Sequence, residues 1–340
     1  MAVAAFLAMA LVPAYLAYDA GLLPGPAQAS ADAGGGGRVT SVTSLSWPDQ
    51  ALGLAARGGV VIWEQRDPSA AVAGLWSYDA RTSRAAKVLG RASTGKTAGH
   101  PAAAGDLIVW AAWPGRRGAG RPRLEAYDTA TTRRWTVASA GRSPMVTGES
   151  VLWVEQDGDG HGDDVIRGSN SLTDEEYAMK AGGRVRAADA WGSWVVWIAG
   201  DEGRAEVWTA SFGDRTRRRL ARAATGVAID RERVLWAAPA GGHTTAIVSW
   251  DRSSGDATIL KRLPGVASSL SLTGDYATWV TTRASPGTEV WVYDFGRDRA
   301  YPVADGGAGR RASPVIAAGS VFWADDRGGD WALYRRTLRP

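Results

Sequence analysis

The sequence of 340 residues predicts an all-β fold, a seven-bladed β-propeller built from four-stranded antiparallel blades. A short apolar strand ending in tryptophan recurs seven times, at separations of 47, 43, 44, 39, 43 and 44 residues. Other strand-like segments keep a constant phase relative to this tryptophan. A repeat of this length with one strand always in phase is typical of radial β-arrays. The tryptophans are Trp63, Trp110, Trp153, Trp197, Trp236, Trp279 and Trp323.

Each repeat contains four strand-like elements, which we label A to D from the propeller axis outward. Strand A is a run of small residues, often led by proline, and strand B carries the tryptophan. A variable polar loop leads to strand C, which often ends in an aromatic residue and aspartate, as in Tyr78-Asp79. A tight turn, which this aspartate is expected to cap, precedes the short strand D. Alternation with a period of two between turn residues predicts antiparallel strands.

The two ends of the repeat region predict how the ring closes. The last repeat supplies strands A, B and C and then ends, whereas 38–46 reads RVTSVTSLS and belongs to no blade of its own. We expect this N-terminal stretch to form the outer strand of the seventh blade, which would remove an exposed sheet edge. The in-phase tryptophans are expected to fill the gaps between blades. The third repeat departs from the pattern, since 165–169 lack the Tyr-Asp pair.

Residues 1–29 are interpreted as a signal peptide or a membrane anchor. Residues 1–23 are apolar with the single charge of Asp19, and Ala27-Gln28-Ala29 matches a small-x-small cleavage site. The same apolar stretch barely reaches the roughly 20 residues that span a bilayer, so a membrane tether through 1–23 is the alternative. Residues 30–37 are read as a flexible linker. Both interpretations place the propeller, 38–340, outside the cytoplasm, in the extracellular space or at the cell surface.

Composition excludes several classes of protein. The absence of cysteine excludes disulfides and thiolate metal sites. A net charge of +4 without a run of lysine and arginine argues against a nucleic-acid partner. The sequence contains no GxSxG elbow, HExxH helix or cysteine nucleophile. The segment 90–97 matches the phosphate-loop pattern GxxxxGK[ST], but glycines and a proline follow it where a helix is required, so we expect a loop between blades.

The repeat pattern of a proline-led strand, a tryptophan strand and a Tyr-Asp strand resembles the TolB-like β-propeller repeat. The resemblance covers about 38–340 and includes the propeller only, without the domain that precedes it in TolB. Seven units are counted, where six are expected in that family. The resemblance implies a periplasmic or extracellular docking platform. WD-repeat and Kelch signatures are absent, and Trp250-Asp251 is the only Trp-Asp pair in the sequence.

One loop carries a candidate metal site. In 157–164 aspartates alternate with glycines, and this pattern matches the start of a calcium loop because short carboxylates can converge while the backbone turns. The twelfth position is Gly168 where such loops carry glutamate, and a solvated acidic turn is the alternative. A calcium ion here is expected to stiffen the loop; no other cofactor is predicted. The candidate ligands are Asp157, Asp159, His161, Asp163 and Asp164.

Function is sought in the loops that follow each tryptophan. We expect a monomeric, non-catalytic binding module that docks a protein or an anionic cell-envelope polymer on one face. Arginines predicted in the turns between strands C and D could hold such a polymer. The alternative is a lyase or glycan hydrolase using the face that carries His100, 157–164 and His243. His100 is placed in a connection from strand D to strand A, and His161 and His243 in loops between strands B and C.

Overall fold

The structure is a computed structural model. It describes residues 39–44, 53–66, 73–89, 96–114, 120–148, 150–156, 162–170, 173, 175–201, 204–213, 216–283, 287–304, 309–327 and 329–338. The predicted signal peptide or anchor (1–29) and the predicted linker (30–37) lie outside the described residues. Within the described residues, no helix is long and apolar enough to cross a bilayer.

The strands follow one another as four per repeat. The first β-strand is β1 (Val39–Ser44). Blade 1 contains β2 (Leu54–Arg57), β3 (Val60–Arg66), β4 (Ala73–Asp79) and β5 (Arg84–Leu89). Blade 2 contains β6 (Lys96–Ala104), β7 (Leu107–Pro114), β8 (Arg123–Asp128) and β9 (Arg134–Ala138). Blade 3 contains β10 (Arg142–Thr147), β11 (Ser150–Glu155), β12 (Val165–Asn170) and β13 (Glu176–Lys180). Blade 4 contains β14 (Val185–Trp191), β15 (Trp194–Ala199), β16 (Glu206–Ser211) and β17 (Arg217–Arg222).

The remaining blades repeat this order. Blade 5 contains β18 (Gly226–Ile229), β19 (Arg233–Pro239), β20 (Thr244–Asp251) and β21 (Ala257–Pro264). Blade 6 contains β22 (Val266–Leu272), β23 (Tyr276–Thr282), β24 (Thr288–Asp294) and β25 (Arg299–Ala304). Blade 7 contains β26 (Arg311–Ala317), β27 (Ser320–Asp325) and β28 (Ala332–Thr337).

The predicted seven-bladed propeller is confirmed. Seven four-stranded sheets are present, and each has its strands in the order A, B, C, D with antiparallel pairing. The closure is also confirmed, because β1 pairs with β28 and completes blade 7, with Val39 opposite Arg336. Loops between strands B and C and connections from D to A share one face, here the upper face. The turns between A and B and between C and D share the lower face.

The core lies between neighbouring blades, and the in-phase tryptophans fill it as predicted. All seven are buried, from 0% exposed at Trp197, Trp279 and Trp323 to 7% at Trp153. Trp197 of blade 4 packs in one cluster with Leu152 of blade 3. Such large aromatic side chains bury more apolar area than any other residue type, so they hold the ring together.

The aspartates at the ends of strands C cap the turns to strands D, as expected. The carboxylate of Asp251 accepts hydrogen bonds from the backbone N–H groups of Ser253 and Ser254 at 2.8 and 2.9 Å and from the Ser253 hydroxyl at 2.6 Å. The hydroxyl of Ser253, followed by these N–H groups, lowers the pKa of Asp251 to about 2. Asp79 and Asp128 make the same contacts in blades 1 and 2.

Several arginines predicted in turns belong instead to the outer strands D. Arg217 and Arg218 of β17 lie over the rings of Trp208 and Trp250, at 4.6 and 5.1 Å from the ring centroids. Arg219 pairs with Glu206 at 2.8 Å. Blades diverge toward the outside of the ring, and long guanidinium side chains fill the widening gap while their charge stays near water. Arg84, Arg134 and Arg299 likewise lie in strands D.

Candidate functional site

An axial channel of ≈ 1170 Å³ runs through the ring, and all seven strands A line it. Its wall is made largely of small and apolar side chains, among them Ala55, Ala102, Ala188 and Val315. Each strand A is the innermost strand of its sheet, so one edge of its backbone faces the channel without a strand partner. A concave site of this volume, open to all seven blades, is the candidate functional site.

The upper mouth of the channel is shaped by a bulge that recurs in strands A. His100, Ser143, Ser269 and Ser313 occupy equivalent positions and have φ angles of 49, 50, 52 and 49°. The register of each of these strands shifts at this place. A bulge with a left-handed residue turns the strand locally and re-aims its side chains. The bulge therefore sets which groups reach the upper mouth.

His100 lies in strand A of blade 2, not in a connection between blades as predicted from the sequence. It lines the channel, and its ring centroid is 5.9 Å from that of Trp113. The carboxylate of Glu64, which is 5% exposed, packs against the neighbouring Gly99: a Cβ on that glycine would lie 2.8 Å from Glu64 Oε2. Trp113 thus contacts His100 from strand B of blade 2, and Glu64 packs against the residue before it from strand B of blade 1.

The other predicted histidines do not join His100 in the described structure. His243 is exposed in the loop between strands B and C of blade 5, three blades away from His100. His161 lies outside the described residues. Among the described residues, no group of three histidine, aspartate or glutamate side chains is arranged to hold a metal ion.

The predicted calcium loop is described only at its end. Asp157, Asp159 and His161 lie outside the described residues, whereas Asp163 is exposed and Asp164 is buried at 2% exposure. The Asp164 carboxylate accepts hydrogen bonds from the Arg142 guanidinium and the backbone N–H of Val185, both at 2.6 Å. Asp164 therefore joins strand A of blade 3 to strand A of blade 4. A calcium ion at this loop stays a prediction.

The lower part of the channel carries carboxylates that the sequence patterns did not indicate. Asp189 of blade 4 accepts hydrogen bonds from the backbone N–H of Ala190 at 2.8 Å and from that of Ile229 in blade 5 at 3.0 Å. Asp230 is 2% exposed; its Oδ1 accepts from the N–H groups of Glu232 and Arg233, while its Oδ2 has no hydrogen-bond partner among the described residues. Both aspartates lie in strand A or directly after it.

Withdrawal from water raises the pKa of Asp189 to about 6. The two N–H hydrogen bonds oppose this rise, and the charge of Asp230 adds to it. Folding then favours the protonated acid, so the contribution of Asp189 to stability falls as the pH rises from about 4 to 6.

Between pH 4.5 and 7, we expect the free energy of unfolding of wild type to fall by about 2 kcal/mol relative to that of Asp189→Asn. One unit of pKa corresponds to about 1.4 kcal/mol, and the expected value allows for partial hydration of the carboxyl in the channel. Urea unfolding across this range measures the difference. The exposed Asp275→Asn serves as the control, and parallel profiles for wild type and Asp189→Asn would contradict the assignment.

Sequence reasoning missed Glu64, Asp189 and Asp230 because nothing local marks them. Asp189 and Ile229 are brought together only by the packing of one blade against the next. A usable signal did exist, since an acidic residue at a strand position where other repeats carry alanine, valine or methionine departs from the repeat pattern. When the strands A of the repeats are aligned, Asp189 occupies the position that Met145 has in blade 3 and Ala102 has in blade 2.

No family model matches the sequence, and a search of curated proteins finds no match. Solved structures are similar in fold. The β-propeller domain of the Trilobed protease from Pyrococcus furiosus has a TM-score of 0.63 at 10% identity, covering 86% of this chain and 93% of that chain. An oligogalacturonate lyase in complex with manganese has a TM-score of 0.61 at 14% identity, covering 92% and 96%. One of two prolyl endopeptidases has a TM-score of 0.63 at 13% identity, and the match spans 83% of this chain and 49% of that chain. At these identities the likeness is one of fold, and the chain is a β-propeller.

Proposed function

We propose that this protein is a binding module that receives a segment of a partner, a protein or a cell-envelope polymer, at its axial channel. The observation that carries the proposal is the wall of the channel, with its small side chains and the free backbone edges of seven strands A. Free strand edges offer hydrogen-bond donors and acceptors to an extended chain. Small side chains such as Ala102 and Ala188 leave these edges accessible.

The setting of this function is part of the same proposal. The protein acts as a monomer outside the cytoplasm, either secreted or held at the cell surface through residues 1–23. It belongs with the TolB-like propellers as a docking platform without catalytic activity. The mildly basic net charge of +4 suits an anionic envelope polymer or an acidic protein.

Capture of partners from the cell-envelope fraction tests the proposal, with the immobilised domain 38–340 as bait. Ser271 lies half-buried in the channel wall, so Ser271→Trp narrows the channel. We expect this variant to bind the captured partner about tenfold more weakly, a loss of about 1.4 kcal/mol. Ser254→Trp, in an exposed turn of the lower face, is the matched control and should bind as wild type does.

The outcomes separate the candidate functions. Equal capture by wild type and Ser271→Trp would contradict docking in the channel, and the absence of any specific partner would contradict the binding function. The alternative, a lyase or glycan hydrolase, is favoured by one observation: a buried carboxylate, Glu64, packs against Gly99, the residue before His100 at the upper mouth. An acid and a base at one site are what proton transfer to and from a sugar requires. Release of shortened glycan fragments during capture would support this alternative.

A further inference from the structure

A second cavity, of ≈ 330 Å³, lies between blades 2 and 3, away from the axial channel. It is bounded by the end of β9 and the connection after it on one side, and by strands B, C and D of blade 3 on the other. None of its lining residues lines the channel. The cavity is at the small end of the roughly 300–1,000 Å³ typical of ligand sites.

The cavity lies where strand C of blade 3 departs from the repeat pattern. Ser169 lines it and occupies the position at which blades 1, 2 and 6 carry Tyr78, Tyr127 and Tyr293. In blade 1 this tyrosine packs on Phe322 of the preceding blade, with ring centroids 5.8 Å apart. The serine side chain is much smaller than a tyrosine side chain. The cavity between blades 2 and 3 therefore coincides with the degenerate strand noted in the sequence.

Two buried N–H donors in the cavity wall have no hydrogen-bond acceptor among the described residues. They are Nε1 of Trp153, a side chain that is 7% exposed, and Nε of Arg167. Arg167 Nε lies 2.5 Å from Glu155 Oε2, an ion-pair contact without hydrogen-bond geometry. The indole N–H of Trp153 has no such contact in the described part of the chain. An unpaired buried donor costs about 1–3 kcal/mol, so an acceptor placed beside this N–H would relieve the cost.

The same wall offers acceptors. Glu155 and Glu176 bring carboxylates to the cavity, and Ser169 brings a hydroxyl. Two carboxylates against one guanidinium disfavour an anionic ligand. The N–H donors of Arg167 and Trp153 require acceptor atoms, which a simple cation lacks. A neutral molecule with several hydroxyl groups meets both demands, because each hydroxyl donates to a carboxylate and accepts from an N–H.

We propose that the cavity between blades 2 and 3 binds a neutral sugar ring. Trp153 Nε1 and Arg167 Nε donate to ring or hydroxyl oxygens, and Glu155 and Glu176 accept from hydroxyl groups. The site is separate from the channel, so it neither requires nor tests the docking function.

Nuclear magnetic resonance of the full domain labelled with nitrogen-15 follows the indole N–H resonances in the test. The probes are D-glucose, D-galactose, D-mannose and N-acetyl-D-glucosamine. Each is added to about 50 mM, because single sugars bind in the millimolar range. The resonance missing from Trp153→Phe is that of Trp153. We expect one or more of these sugars to shift it in a saturable manner. Failure of all four sugars to shift the Trp153 resonance would overturn the proposal.

Three variants locate the binding by calorimetry. Ser169→Tyr restores the tyrosine of the other blades and fills the cavity, so the affinity should fall at least tenfold while the melting temperature is kept or raised. Trp153→Phe replaces the indole with a smaller aromatic ring that has no N–H donor, with an expected loss of about tenfold. Trp279→Phe is the control: it removes an unpaired indole N–H at the equivalent position of blade 6. Trp279 lines neither the channel nor the cavity, so this variant should bind the sugar as wild type does. Unchanged affinity in both Ser169→Tyr and Trp153→Phe would also overturn the proposal.

Discussion

A chain that begins at residue 45 is expected to melt about 5–10 °C below a chain that begins at residue 38, because a loss of several kcal/mol moves the melting temperature of a large domain by about 2–4 °C per kcal/mol. The deletion removes β1, the outer strand of blade 7. Val39 is 2% exposed in a cluster with Trp323 and Val303, and its burial contributes about 1.5–3 kcal/mol. Backbone hydrogen bonds to β28 contribute about 1 kcal/mol each, offset by the ordering of the strand.

The shortened chain also exposes the edge of β28, so we expect concentration-dependent association. Thermal unfolding followed by circular dichroism and light scattering measures both effects. A synthetic peptide of residues 38–46 should restore part of the melting temperature, whereas a peptide of scrambled sequence should not. Equal melting temperatures for the two chains would show that the closure by β1 adds nothing to stability.

The second large effect is expected from Asp325→Ala, which should lower the free energy of unfolding by about 3–5 kcal/mol, because it leaves a buried charge without its partner. Asp325 is fully buried. Its Oδ2 accepts from Arg311 Nε at 2.9 Å, from Arg327 at 2.7 and 2.9 Å, and from the Trp323 indole at 3.1 Å. Arg311, 5% exposed, also donates to the backbone carbonyl of Thr288 in blade 6. The carboxylate therefore links strands A and B of blade 7 with blade 6.

Urea unfolding at neutral pH measures the effect, and Asp256→Ala, at an exposed position directly before β21, is the control with a much smaller expected loss. Burial alone would raise the pKa of Asp325, but the hydrogen bonds and charge of Arg327, with the charge of Arg311, hold it below its ordinary value. A lowered pKa gives stability that is present above about pH 4 and lost as the pH falls further. The variant should lose this acid dependence. Wild-type stability in Asp325→Ala would show that Arg311 is satisfied by other groups.

Strands B and C could be predicted from the sequence because their determinants are local and repeated. A tryptophan such as Trp197 must be buried, and alternation on either side fixes the strand that carries it. The closure could be predicted by counting, since the last repeat has three strands and 38–46 is left over. The same comparison of repeats marks Ser169, although the cavity it leaves depends on how blade 2 packs against blade 3.

The rest depends on distances between blades, which periodicity does not encode. The hydrogen bond from the Ile229 N–H to Asp189 joins the strands A of two adjacent blades, 4 and 5. The packing of Glu64 against Gly99 joins blades 1 and 2. His100 lies between Gly99 and Pro101, and the bulge in strand A accommodates this run, which local sequence does not reveal. The exact start of each strand D, and so the position of its arginines in the strand or in the turn, is likewise not marked by periodicity.

The pairing of β1 with β28 in blade 7 imposes an order on folding. Blades 1 to 6 are each continuous in the chain, so each can form its hydrogen bonds as soon as it leaves the ribosome. Val39 meets Arg336 only after β28 has been made, and the entropy of joining such distant segments opposes this last step. Until then β1 is a strand without its partner. The first strand of the ring is therefore among the last to pair.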